Sequence, residues 1–150
     1  EGSYLVETKV KDLINAISIK LDDIFKGKYN IYTEEVKQGF KLPAFFIKNI
    51  NAAQKQELGK RYKKNNIFVI YFFPEENGKK TDQCLEVMDI LLNELEYVAV
   101  DKGLFRGTNM KSRVVDNVLN ITVEFNYHIL KQVEKQDYME ILTQNIKAKG

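Results

Sequence analysis

The chain has 150 residues, 44% hydrophobic and 29% charged, with 23 basic against 21 acidic side chains and a net charge of +2. That composition excludes disorder over most of the length, and the length suits one domain whose core needs neither disulfide nor metal. Near-balanced charge leaves no electrostatic footprint for nucleic acid, the lone Cys84 excludes an intramolecular disulfide and points to a reducing compartment, and the longest apolar run, Ile67 to Phe73, is far below the roughly 20 residues of a membrane-spanning helix.

Residues 1 to 8 read as a tag remnant, trimmed leader or flexible N-terminus, because Glu1-Gly2-Ser3-Tyr4-Leu5-Val6 has no basic region followed by an apolar stretch and so is no secretory signal. The domain is expected to span residues 9–150. Val10, Leu13, Ile14, Ile17, Leu21 and Ile24 recur at spacings of three and four, which predicts a first helix with Thr8 as N-cap and Gly27 as its end. Tyr29 to Val36 and Ala44 to Ile50 are short extended pieces, with Pro43 opening the second, where its missing N–H does least harm. Residues 51 to 66 are polar and lysine-rich without a clear period, and read as a loop or frayed turn. Ile67 to Phe73 is unbroken apolar, the pattern of a central strand covered on both faces.

Pro74-Glu75-Glu76-Asn77-Gly78 stops that strand, and a second helix follows, capped by Thr81 and turning Leu85, Met88, Leu91, Leu92, Leu95 and Val98 to the core. Val100 to Lys111 is a candidate strand, and Asp116-Asn117 is a turn signal. From Val118 to Leu130 apolar and polar residues alternate: Leu119, Ile121, Val123, Phe125, Tyr127 and Ile129 share one face, and Asn120, Thr122, Glu124, Asn126 and His128 the other. Asp137 and Glu140 form a capping-box-like start to a short third helix through Ile141, Leu142 and Ile146. The expected fold class is α+β: a mostly antiparallel β-sheet with two to three α-helices packed on one face and the other face open to solvent or a partner.

No catalytic, cofactor or metal constellation is visible in the sequence. His128 is the only histidine and has no neighbouring partner residues, and Cys84 near a helix start lacks a histidine at nucleophile spacing. The adjacent pairs Asp22-Asp23, Glu34-Glu35 and Glu75-Glu76 diverge on helix or strand and read as solvated surface, as does Lys60-Arg61-Tyr62-Lys63-Lys64. Gly103-Leu104-Phe105-Arg106-Gly107-Thr108-Asn109 fails as a phosphate-binding loop and reads as a turn in a β arm. That arm gathers Phe105, Arg106, Met110, Lys111 and Arg113, residue types that interfaces favour, Lys apart. With Asn120, Thr122, Glu124 and Asn126 on the last strand, these are the candidate protein-interface residues.

Read in order, the opening helix, Glu35-Val36-Lys37-Gln38-Gly39-Phe40 with Pro43-Ala44-Phe45-Phe46-Ile47, Ile70-Tyr71-Phe72-Phe73-Pro74 and Val115-Asp116-Asn117-Val118-Leu119 resemble the tail terminator family of bacteriophages and phage-like elements of Gram-positive bacteria, over about residues 9 to 147. The resemblance implies a small subunit without catalysis or cofactor that assembles with itself as a ring, typically of six, on the finished tail tube. It also implies the tail tube protein and a neck or head-completion protein as partners, with the sheath as a further candidate. Assembly in the bacterial host cytoplasm would precede residence in the virion or in a tail-like bacteriocin. No membrane or specific nucleic acid is implied. Two readings stand beside it: a neck or head-closure adaptor of the same particle, and a small enzyme or nucleic-acid-binding module using His128, the acidic pairs or the lysine run.

Overall fold

The computed structural model describes residues 8–101 and 103–131. Its elements run α1 (Val10–Phe25), β1 (Asn30–Tyr32), β2 (Ala44–Gln56), β3 (Arg61–Phe73), α2 (Lys80–Glu94), β4 (Tyr97–Val100), β5 (Gly103–Val115) and β6 (Val118–Leu130). The expected third helix lies outside the described residues.

Helix α1 forms where the three-and-four spacing predicts it, and buries Leu13, Ala16, Ile17 and Leu21. Its start differs from expectation. Lys9, not Thr8, is the N-cap, and the Asp12 carboxylate accepts the Lys9 N–H at 2.9 Å, while the Thr8 carbonyl accepts the Tyr127 hydroxyl at 3.1 Å. At the other end Lys26 and Gly27 take left-handed φ of 53° and 71°, and the Gly27 N–H closes on the Asp22 carbonyl.

The strands make one six-stranded sheet in the order β1-β2-β3-β6-β5-β4. Four of the pairings are antiparallel, and β1 with β2 is parallel, so the sheet is mixed where mostly antiparallel pairing was expected. The parallel pair arises because residues 33–43 carry the chain back across one sheet face before β2 begins just after Pro43. Only Asn30–Tyr32 of the expected first strand is paired. Asp116 and Asn117, with φ of 51° and 62°, make the tight β5–β6 turn that the sequence signals.

Both helices lie on one face of the sheet. Phe45, Ile47, Phe68, Ile70, Phe72, Leu119, Ile121, Val123 and Phe125 pack there against α1, α2, Val98 and Val100. At roughly 1.5–3 kcal/mol for each large apolar side chain removed from water, this layer dominates the favourable side of folding. Strands at both edges reach α1, so the sheet curls around it.

Helix α2 follows its expected facing in part: Leu91 is buried, Leu95 and Val98 just beyond the helix are buried too, and Met88 packs against the core. Cys84, Val87 and Leu91 are buried, whereas Leu85 and Leu92 point outward, and the N-cap is Lys79 with Thr81 inside the first turn. The many leucines are what misled the periodicity: Cys84 and Val87 take the inward positions, and the leucine surplus is left at the surface.

Residues 51–66 are not a loop. They complete β2 and begin β3, paired from Asn51 opposite Ile67 to Gln56 opposite Tyr62, with Gly59 (φ 63°) in the connecting turn. With β6 beyond Phe125 they form a three-stranded ribbon that extends past α1. Alternation is missing from this sequence because residues 51–56 are exposed on both faces and residues 61–66 are covered only in part, Asn66 alone being buried, so no apolar core selects every second position.

Candidate interaction surfaces

The sheet face away from the helices is built in rows by the strand register. Phe46, Tyr71, Asn120 and Arg113 lie across from one another in the first row, and Lys48, Val69, Thr122 and Lys111 in the second. Ile67, Glu124 and Thr108 follow, then Ala53, Asn65 and Asn126, and finally Lys55, Lys63 and His128 on the ribbon. Glu124 organises the middle, accepting from the Asn65 amide at 3.4 Å and the Asn126 amide at 3.5 Å. Arg106, opposite Tyr97, reaches Glu96 at 3.7 Å at the far edge.

Seven of the nine candidate interface residues therefore share this face: Arg106, Lys111, Arg113, Asn120, Thr122, Glu124 and Asn126. Phe105 and Met110 do not. They turn to the helix side and pack against the core, Phe105 edge-on to Tyr127 with ring centroids 4.8 Å apart. The expected projecting arm at Gly103–Arg113 is strand β5, held between β6 and β4, and the Gly103–Asn109 stretch is strand rather than turn. The element that projects is the β2–β3 ribbon.

One end of the open face is aromatic. Residues 33–43 fold back so that Phe40 stacks on Tyr32 at 4.6 Å and touches Phe46 at 5.2 Å and Phe73 at 5.4 Å, while Tyr71 lies beside Phe46. The loop is pinned by Tyr32, whose hydroxyl accepts the Lys41 N–H, and by the Asn30 amide on the Lys41 carbonyl. An open groove of about 420 Å³ results, lined by Glu35, Val36 and Lys48 as well as the rings. The stretches Glu35–Phe40, Pro43–Ile47 and Ile70–Pro74 meet at this groove. Ile67 to Phe73 is thus covered on both faces only in part: helices cover Phe68, Ile70 and Phe72, and the Phe40 loop leaves Tyr71 and Phe73 half-buried. The groove's signal in the sequence was an apolar strand with aromatics at both alternate positions, opposite an equally aromatic Phe45-Phe46.

The reactive-group candidates stand apart from one another. His128 Nε2 lies 3.2 Å from Glu57 Oε1, which also meets Arg61 at 3.5 Å, so the histidine belongs to an exposed ion cluster at the ribbon tip. Cys84 is fully buried, with its Sγ 3.5 Å from the Asn117 carbonyl, and burial pushes the thiol pKa up against a smaller opposing backbone hydrogen bond at Leu119. Among the described residues, no group of three or more His, Cys, Asp or Glu side chains converges as a metal site, and no helix is long and apolar enough to cross a membrane.

Among the described residues, two helices cover one face of a curled sheet and leave an aromatic and polar outer face open. The family model described as phage tail terminator protein matches residues 12–137, and the chain belongs to that family, a class of phage tail structural proteins. No curated protein matches the chain. A chain from a solved structure titled virion of native gene transfer agent particle is similar at 14% identity and TM-score 0.47, covering 77% of this chain and 92% of that one. A second solved chain is similar at 9% identity and TM-score 0.37, covering 86% and 100%.

Proposed function

We propose that the protein closes the tail tube of a phage or phage-tail-like particle: copies assemble as a ring, six by analogy with the family, on the last ring of tube subunits and stop further addition. The open sheet face carries this reading, because it combines an aromatic groove with a polar ladder in which Arg106, Lys111 and Arg113 line one side. Interface energy concentrates in buried aromatics and arginines, and the surrounding polar contacts exclude water and fix register. Termination needs no chemistry. A surface that fits the tube end, on a subunit that offers no second copy of that surface, docks and leaves nothing for the next tube subunit.

The ring's other side then receives the neck or head-completion protein, or simply caps a headless particle. Assembly takes place in the host cytoplasm and the ring stays in the mature particle. Monomers persist in solution where ring closure alone buries less than the roughly 1,200 Å² of a stable interface, and tube ends supply the remainder.

The test is a polymerisation assay with purified tail tube protein. Added at ring-to-tube-end stoichiometry, the protein should shorten and narrow the length distribution and appear as an extra ring at one tip. Unchanged tube lengths with the protein bound at the tip favour the neck-adaptor reading, and no binding at all sinks both.

A further inference from the structure

Two surface features are unexplained by the core or by the open sheet face, and they complement each other. The first is the β2–β3 ribbon. Between residues 51 and 66 it carries five basic side chains and one acidic, Glu57. Lys55 stands directly across from Lys63, which is in turn across from His128, and Leu58 at the apex is 90% exposed. Like charges directly opposite on a ribbon, as Lys55 and Lys63 are, are unfavourable, and with Glu57 engaged by Arg61 and His128, Lys55, Lys60 and Lys63 make no ion pair among the described residues.

The second is the outer stripe of α2. Asp82, Leu85, Asp89 and Leu92 follow at spacings of three, four and three, with Glu86 beside them. Leu85 and Leu92 are 46% and 36% exposed. Residues 80–96 carry five acidic side chains and one basic. Glu94 is taken by Lys20 and Glu96 by Arg106, which leaves Asp82, Glu86 and Asp89 with no ion pair among the described residues. Each patch is thus an apolar centre inside charge of one sign, and the signs are opposite.

A chain cannot satisfy both patches by itself. The start of α2 sits at the β5–β6 turn, where Thr81 and Cys84 meet Asn117, while the ribbon is at the far end of β6, where Leu130 pairs with Arg61. The thirteen residues of β6 put the start of that stripe roughly 40 Å from the ribbon's apex at about 3.3 Å per residue, and α2 then runs back toward mid-sheet, where Leu95 and Glu96 meet Gly107, across from Phe125. Two different, mutually complementary patches, one at the ribbon's apex and one on the outer side of α2, make a head-to-tail contact, which closes into a ring where the rotation between copies allows.

We propose that the basic ribbon of one copy, led by Leu58, docks on the acidic outer stripe of α2 in the next copy, and that this contact closes the ring. The proposal rests on the ring-forming reading above and names the contact that joins its subunits. The open sheet face is then left for the tube and neck proteins.

The test uses the full chain, free and on tube ends. With Leu58→Cys and Leu85→Cys in one chain, mild thiol oxidation should give a covalent ladder of multimers in at least one of the two conditions, while neither single variant gives a ladder beyond dimer. Reversing the ribbon (Lys55→Glu, Lys60→Glu, Lys63→Glu) or the stripe (Asp82→Lys, Glu86→Lys, Asp89→Lys) should weaken self-association at least tenfold, and both sets together should restore it. All six side chains are exposed, so circular dichroism and melting should match the unaltered chain. No ladder in either condition, or no restoration by the double reversal, overturns the contact. Tubes limited equally well by the ribbon-reversed chain reject the contact and leave tube closure standing. An unaltered chain that forms the ladder yet leaves tube lengths unchanged rejects tube closure and leaves the contact standing.

Discussion

Gly107 in β5 lies against the end of α2: its N–H donates to the Glu96 carbonyl at 2.7 Å, and a Cβ at this position would collide with the Leu95 carbonyl oxygen and come within 2.8 Å of Val123 Cγ2. Backbone meets backbone here, so no flexible side chain can move aside. Gly107→Ala should cost about 2–3 kcal/mol, seen as a lower denaturant midpoint with an unchanged slope. Wild-type stability in that variant would mean that α2 does not end against the sheet as described.

Phe40 reaches the sheet from a connecting segment and sits outside the helix-covered core, so its stability and binding roles should separate. Phe40→Ala should lower stability by no more than about 1 kcal/mol, whereas it should weaken binding to tube ends at least tenfold, as loss of a central aromatic anchor does. Co-sedimentation with purified tube reads the second effect and thermal melting the first. Phe68→Ala, on the helix-covered face of β3, should do the reverse and destabilise by about 3–5 kcal/mol.

Arg106 and Arg113 share the open face, and among the described residues Arg106 pairs with Glu96. Changing both to Glu should leave the melting temperature within a few degrees, because exposed ion pairs contribute little, but should reduce assembly on tubes. Phe105→Ala provides the contrast. Its ring packs on Tyr127 on the core side, so stability falls by about 2 kcal/mol or more. Particle assembly scored by microscopy, with melting as control, distinguishes the two.

Burial raises the Cys84 pKa in the folded state. A group whose folded pKa exceeds its unfolded value keeps its full contribution below the unfolded pKa and loses it as pH climbs toward the folded one. Stability should therefore decline in the alkaline range above the ordinary thiol pKa, and Cys84→Ala should flatten that decline. At neutral pH a thiol reagent should label Cys84 only at the rate of unfolding. Rapid labelling of native protein would contradict its burial.

These residues also mark where the sequence was legible. Strand β6 was read correctly because one face meets the helices and the other does not, which forces alternation from Leu119 to Phe125. Helix α1 was read for the same reason, at helical spacing. The ribbon of residues 51–66 is not legible because none of its residues belongs to the apolar core, and periodicity records selection by a core rather than strand formation itself. The facing of α2 is legible for Met88, Leu91 and Leu95, which meet the core, and not for Leu85 and Leu92, which look like core residues and stand outside it. Of the candidate site, the polar half was legible from the alternation of β6, and Arg106, Lys111 and Arg113 fell on the same face through pairing with β4 and β6. The aromatic groove was not, since Phe40 reaches it only through the crossover that creates the parallel β1·β2 pair.

Electron microscopy of particles assembled without this protein tests the central claim most directly. If it closes the tube, its absence should give tails of variable and excessive length that lack heads, and supplying the protein should restore a single length. Tails of normal, uniform length in its absence would contradict that role.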